Sequence, residues 1–171
     1  MIKEVRPHVF WLHSPDGGEV YFLRTNAGLV MFDSSFVRHK DTILADMRSM
    51  GLDPRQIRMC FITHLHCDHV GGVGWWQKEF GFPVIAHELA ADPIEAADPV
   101  ATGAYMPYTG FDERFIPCKV TQRVRGGETL TLGERTFEII HAPGHSVGSM
   151  HILSGDLLFV GDTVFANGGI G

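Results

Sequence analysis

The sequence predicts a layered α/β domain, and two patterns carry that expectation: strands alternating with helices in the first half, and a run of antiparallel-looking strands in the second. In the opening third, Val9 to Leu12 and Glu19 to Arg24 are short, aromatic and β-branched, with the turn-forming stretch Ser14-Pro15-Asp16-Gly17-Gly18 between them. Thr25-Asn26-Ala27-Gly28 turns the chain into Leu29 to Phe32, so the simplest reading is a meander. After Asp33 the period becomes helical. Ile43, Leu44, Met47 and Met50 share one face, and Gly51 stops the run.

Ile57 to Thr63 reads as a compact apolar strand, followed by a helix from Val70 that carries Trp75, Trp76 and Phe80. Pro83 to Ala86 is a further strand. Ala90 to Pro117 reads as a helix and then a long loop, with aromatics at Tyr105, Tyr108, Phe111 and Phe115. These aromatics, like the Pro15 to Gly18 turn, are candidates to wall a pocket, but burial in the core is the commoner fate of such side chains. Strand signals return at Val120 to Val124, Glu128 to Leu132, Thr136 to His141, Met150 to Leu153 and Leu157 to Val160. No repeat or linker divides the chain, so residues 1–171 are read as one domain.

Composition narrows the function. The chain has 171 residues, 44% of them hydrophobic, and a formal charge of −6. Its Lys and Arg are scattered, which argues against nucleic acid as a general partner. The N-terminus lacks an apolar signal core and no run is long enough to span a membrane, so the expected location is cytoplasmic. Cys60, Cys67 and Cys118 form no CxxC pair, and an odd count does not suit a disulfide framework.

Chemistry concentrates in Thr63-His64-Leu65-His66-Cys67-Asp68-His69-Val70-Gly71-Gly72. Even in a chain with ten histidines, a chance His-x-His-x-Asp-His match is expected on the order of 10⁻³ times. In an extended segment His64, His66 and Asp68 project to one side, Leu65 and Cys67 to the other, and His69 comes round as the chain turns. Imidazole and carboxylate donors suit zinc or iron, and the lack of a thiolate argues against a structural zinc. A third imidazole is supplied by His145 in the Pro143-Gly144 turn. Asp162, after the strand Leu157 to Val160, can bridge two cations. His141, at a strand end, is expected to support a ligand from behind or to play a structural part.

These segments resemble the metallo-β-lactamase superfamily, marked by the His-x-His-x-Asp-His loop, a later Pro-Gly-His and a Gly-Asp after an apolar strand. The resemblance implies an αββα four-layer sandwich. It also implies that His64, His66 and His145 hold one divalent metal ion and Asp68 and His69 a second, with Asp162 bridging; zinc is the first expectation, iron or manganese the others. Asp33 resembles an aspartate that braces the ligands from behind, and is equally readable as a turn cap.

The family usually adds a further His and more structure beyond the bridging Asp, and only nine residues follow Asp162. The chain is therefore expected to lack a C-terminal portion, and to form a homo-oligomer or dissolve poorly if it ends there. The implied function is a metal-dependent hydrolase in which Asp68 assists catalysis, acting on a small-molecule thioester, lactone or related carbonyl compound. The resemblance places it nearer hydroxyacylglutathione hydrolases and lactonases than antibiotic-degrading enzymes. A mononuclear-iron sulfur dioxygenase and a metal-dependent phosphodiesterase or nuclease are the alternatives.

Overall fold

The computed structural model describes residues 1–14, 16–106, 111–113 and 115–171, with Phe111 described by its backbone only. In chain order the elements are β1 (Ile2–Arg6), β2 (Val9–Leu12), β3 (Val20–Thr25), β4 (Gly28–Phe32), α1 (Lys40–Ser49), β5 (Ile57–Phe61), α2 (Cys67–Val70), α3 (Val73–Phe80), β6 (Val84–His87), α4 (Glu88–Ala96), β7 (Tyr105–Met106), β8 (Phe111–Asp112), β9 (Gln122–Val124), β10 (Thr129–Leu132), β11 (Arg135–His141), β12 (Met150–Ser154) and β13 (Leu157–Phe159).

The first sheet runs β1-β2-β3-β4-β5-β6-β9. It is antiparallel from β1 to β4, as the meander predicts, and parallel from β4 to β9. Parallel neighbours need crossovers, and α1, α3 and α4 lie in those connections. The second sheet, β10-β11-β12-β13, is antiparallel throughout.

Successive residues in a strand face opposite ways, and the central strands of the first sheet are apolar on both faces. Phe22 and Met31 meet the helices, packing with Ile43 and Met47 of α1, Trp76 of α3 and Ile94 of α4. Leu23, Val30 and Phe32 face the other way, onto Phe137, Ile139, Ile152 and Phe159 of the second sheet. Phe32 stacks on Phe159 with centroids 3.6 Å apart. Each such side chain contributes about 1.5–3 kcal/mol by leaving water, which fixes how the two sheets sit on one another.

Three of the four expected layers are thus formed. Among the described residues no helix covers the outer face of the second sheet, where Ile140 is 36% and Leu158 51% exposed. No helix of the described residues is long and apolar enough to cross a membrane.

The structure adds to the sequence reading in three places. Ile2–Arg6 is an edge strand whose only buried side chain is Ile2, so it has no alternation to betray it. The Ala90 to Pro117 stretch contains the small hairpin β7–β8 after its helix. The extended reading of the histidine loop stops at His66, because Cys67–Val70 is one helical turn. Trp76 is fully buried and Trp75 packs beside it, as core residues. Tyr105 is 45% exposed and Phe115 partly buried, whereas Pro15, Tyr108 and the Phe111 side chain lie outside the described residues.

Candidate metal centre

Two parallel strands deliver the first half of the site from their C-terminal ends, the usual place for function in such sheets. Asp33 directly follows β4 in a left-handed conformation, φ 56°, and its side chain is buried. Its carboxylate accepts hydrogen bonds from Thr63 N at 2.8 Å, Thr63 Oγ1 at 2.7 Å and His69 Nδ1 at 2.8 Å. Asp33 therefore braces the loop after β5 rather than capping a helix.

That loop runs extended through His66 and then coils into α2. The helical turn, closed by Val70 N donating to His66 O at 3.0 Å, swings Asp68 and His69 away from the line of His64 and His66. The His69 carbonyl is gripped by Ser34, through both its backbone N and its Oγ, each at 2.8 Å. Cys67 packs with Phe36, Ala104 and Phe115, facing away from the imidazoles, and burial pushes its thiol up to about 12. It stays a neutral core thiol.

The second sheet supplies the rest. His145 lies in the 142–149 connection between β11 and β12, and Asp162 sits in the 3₁₀ turn Gly161–Thr163 after β13. The two rims are tied where Met150 N donates to Thr63 O at 2.8 Å. Gly161 has φ 53°, and a Cβ there would collide with Thr63 Oγ1. Only glycine lets this turn come close enough to bring Asp162 beside His69.

The side chains converge on two donor groups. His64, His66 and His145 form one, and His64, His69 and Asp162 the other; within each group the ligand atoms lie within 4.8 Å of one another. His66 Nδ1 and His145 Nε2 share a 2.8 Å hydrogen bond. His69 Nε2 is 3.2 Å from Asp162 Oδ1 and 3.6 Å from Asp68 Oδ2, and His145 Nε2 is 3.8 Å from Asp162 Oδ2. All six residues singled out in the sequence meet here. Their grouping differs from the expected one, since His64 belongs to both groups and Asp68 stands just outside them.

Protonation follows from the surroundings. Burial, then the neighbouring imidazoles, depress His64 strongly, so its ring is neutral and offers a lone pair. His66 is lowered by burial and by His145. For His69 burial also disfavours charge, but Asp33 and Asp162 outweigh it and raise the pKa to about 10. With Nδ1–H given to Asp33, a cation would have to displace only the proton on Nε2. Asp162 is lowered overall: burial works against its charge, and His69 more than compensates.

The arrangement fits a cation. His64 Nε2 is buried and has no hydrogen-bond partner among the described residues, and His69 Nε2 is buried facing the carboxylates of Asp162 at 3.2 Å and Asp68 at 3.6 Å. A buried polar atom left without a partner costs about 1–3 kcal/mol, and the donor set of imidazole and carboxylate is one that zinc-type ions take.

A turn leans over the second group. A Cβ on Gly18, at φ 65°, would land in the Asp68 carbonyl, and one on Gly17 would stand 2.9 Å from Asp68 Oδ2. Asp16 anchors this turn through Arg38 Nη2 at 2.7 Å and His39 Nε2 at 2.9 Å. Beside it opens a cavity of about 460 Å³, with Asp68, His69 and Asp162 at one end and Val9, Tyr21, Phe32 and Phe159 among its apolar walls.

This fold and this site define a class: the chain belongs to the metallo-beta-lactamase superfamily, whose family model matches residues 13–170. It is 30% identical over 166 residues to the "Probable metallo-hydrolase YqgX" of Bacillus subtilis (strain 168), covering 94% of this chain and 74% of that protein. A hydroxyacylglutathione hydrolase of Maricaulis maris is 28% identical over 161 residues, covering 93% of this chain and 48% of that one. Among solved structures, BJP-1, a subclass B3 metallo-beta-lactamase of Bradyrhizobium japonicum, superposes with a TM-score of 0.79 at 26% identity, over 96% of this chain and 63% of that chain. The chain therefore spans about half to three quarters of the length of these relatives.

Proposed function

We propose that the chain is a metal-dependent hydrolase that works with two divalent cations, zinc by preference, on a thioester, lactone or related small carbonyl substrate. The observation that carries this reading is the pair of donor groups sharing His64, whose buried Nε2 has no partner among the described residues, with His69 Nε2 turned toward the Asp162 carboxylate. Cations bound there would supply Lewis acidity and a water that ionises near neutral pH. His64, His66 and His145 would hold the first, and His69, Asp162 and Asp68 the second, with Asp162 reaching toward both.

The chain's own groups then have distinct tasks. Asp33 keeps the His69 proton on Nδ1, so that Nε2 faces the site. Asp68, half-buried between His69 and the Gly17–Gly18 turn, lines the cavity and would orient a water and pass its proton to the leaving group. The apolar cavity walls exclude solvent from an acyl group.

Thioester chemistry is favoured over β-lactam cleavage by the name of the Maricaulis relative, a hydrolase of a glutathione thioester; the β-lactamase likeness speaks to the fold. A cytoplasmic setting suits the three buried free cysteines. The test is elemental analysis of the purified chain, followed by a panel of hydroxyacyl-glutathione, acyl-coenzyme A, acyl-homoserine lactone and β-lactam substrates. Thiol release with two zinc ions per chain supports the reading. Iron with oxygen uptake, or cleavage confined to phosphodiesters, overturns it.

A further inference from the structure

Outside the donor groups, two further imidazoles meet face to face. His87, the last residue of β6, and His141, the last residue of β11, stack with centroids 3.9 Å apart and an 18° tilt. They belong to different sheets, and each is fixed by its own hydrogen bonds. His87 Nδ1 accepts from Leu89 N at 3.2 Å, capping α4, which leaves its Nε2–H to reach Arg125 O at 3.3 Å. His87 is buried, so the ring is a rigid platform.

His141 uses that platform to hold something else. Its Nε2–H donates to Val147 O at 3.0 Å. Val147 is 64% exposed, at the outer side of the 142–149 connection that carries His145. The base of the connection is already closed by Ala142 N donating to Ser149 O at 2.9 Å, and Ser146 N donates to Ser149 Oγ at 3.0 Å. The His141 bond spans from the strand end to the residue two beyond His145, on the solvent side where water would otherwise compete for the Val147 carbonyl.

We propose that His141, seated on His87, is a positioning residue: its hydrogen bond to Val147 O sets the pose of the loop that aims His145 at His64 and His66. This rests on the metal reading above and deepens it. Groups that orient a ligand from behind change metal affinity by about 10–100-fold when lost, and His145 stands on the connection between β11 and β12, outside either strand. The His87 ring stacked on its face narrows the poses open to His141, so the bond costs less entropy to make.

The experiment compares His141→Asn with His141→Gln in the full chain, titrated with cobalt(II) against a chromophoric chelator while the ligand-field absorption is recorded. The Gln amide nitrogen reaches the place of Nε2 and keeps the donor, whereas the Asn amide falls short of it. The expected result is a loss of about 10–100-fold in affinity for His141→Asn, with an altered cobalt spectrum, and near wild-type values for His141→Gln. Both variants carry the same functional group, so circular dichroism and melting curves that match each other separate positioning from folding. Wild-type affinity and spectrum in His141→Asn overturn the inference alone, as does a Gln variant as weak as the Asn one. A wild-type chain that takes up no cobalt overturns the metal reading and this inference together.

Discussion

Replacing Asp33 with Asn is the sharpest probe of how the site is set. The backbone at this position has φ 56°, which asparagine tolerates, so the change is confined to the carboxylate. That group receives three hydrogen bonds, from Thr63 N, Thr63 Oγ1 and His69 Nδ1. The Asn oxygen, in the place of Oδ2, can keep the bonds from Thr63 Oγ1 and His69 Nδ1. Its NH₂ cannot accept from Thr63 N, so that buried bond is lost and the His69 bond loses its charge assistance, together at about 1.5–3 kcal/mol. For a chain of this size each kcal/mol is about 2–4 °C, so the melting temperature is expected to fall by roughly 3–12 °C.

A second consequence is chemical. A neutral amide holds the Nδ1–H less firmly than the carboxylate does, so the neutral ring more readily carries its proton on Nε2, the atom that faces Asp162. Zinc affinity at the His64, His69, Asp162 group is then expected to drop by about 10–100-fold, while the all-histidine group keeps its own. Calorimetric melting without metal and chelator competition with it measure the two effects separately. A variant that melts at the wild-type temperature and binds two zinc ions as tightly as wild type would refute the assignment of Asp33 as the brace.

The remaining expectations are simpler. His69 keeps its proton to about 10 in the folded chain, against an ordinary value of 6.5. The metal-free protein therefore holds the full benefit of this ion pair below pH 6.5 and loses it as pH rises toward about 10, and denaturant midpoints across that window are expected to fall. Gly18→Ala pushes a methyl into the Asp68 backbone at positive φ, costing about 2–5 kcal/mol in strain and overpacking, whereas Gly127→Ala, with open space around it, costs only about 1–2; paired melting curves check the contrast. Asp68→Asn is expected to lower kcat by about 10²–10⁴ while the His64, His66 and His145 group retains its metal. Metal content and kcat measured on one preparation decide that case.

Much of this was legible because the signals are local. The His64 to His69 cluster, the Pro-Gly turn before His145 and the apolar strand before Asp162 each announce themselves within a few residues. The central strands were readable for the same reason, as short runs bounded by turn residues. What escaped is non-local or too short to have a period. One turn of helix at Cys67–Val70 carries no hydrophobic repeat, yet it decides that Asp68 leaves the line of His64 and His66. The sharing of His64 by both donor groups depends on how two sheets meet, and the stacking of His87 on His141 joins residues 54 apart in the chain. Asp33 was visible as a candidate, but its three donor atoms belong to Thr63 and His69, beyond the end of a different strand.

His64, His66 and His69 hang from one sheet, while His145 and Asp162 hang from the other. Any ion caught among them is a rivet through the sandwich, fastening it at a rim where the chain offers mainly loop contacts. Removing such an ion slackens the grip of one slab on the other as well as ending chemistry, so a chelator acts on this architecture as a mechanical agent.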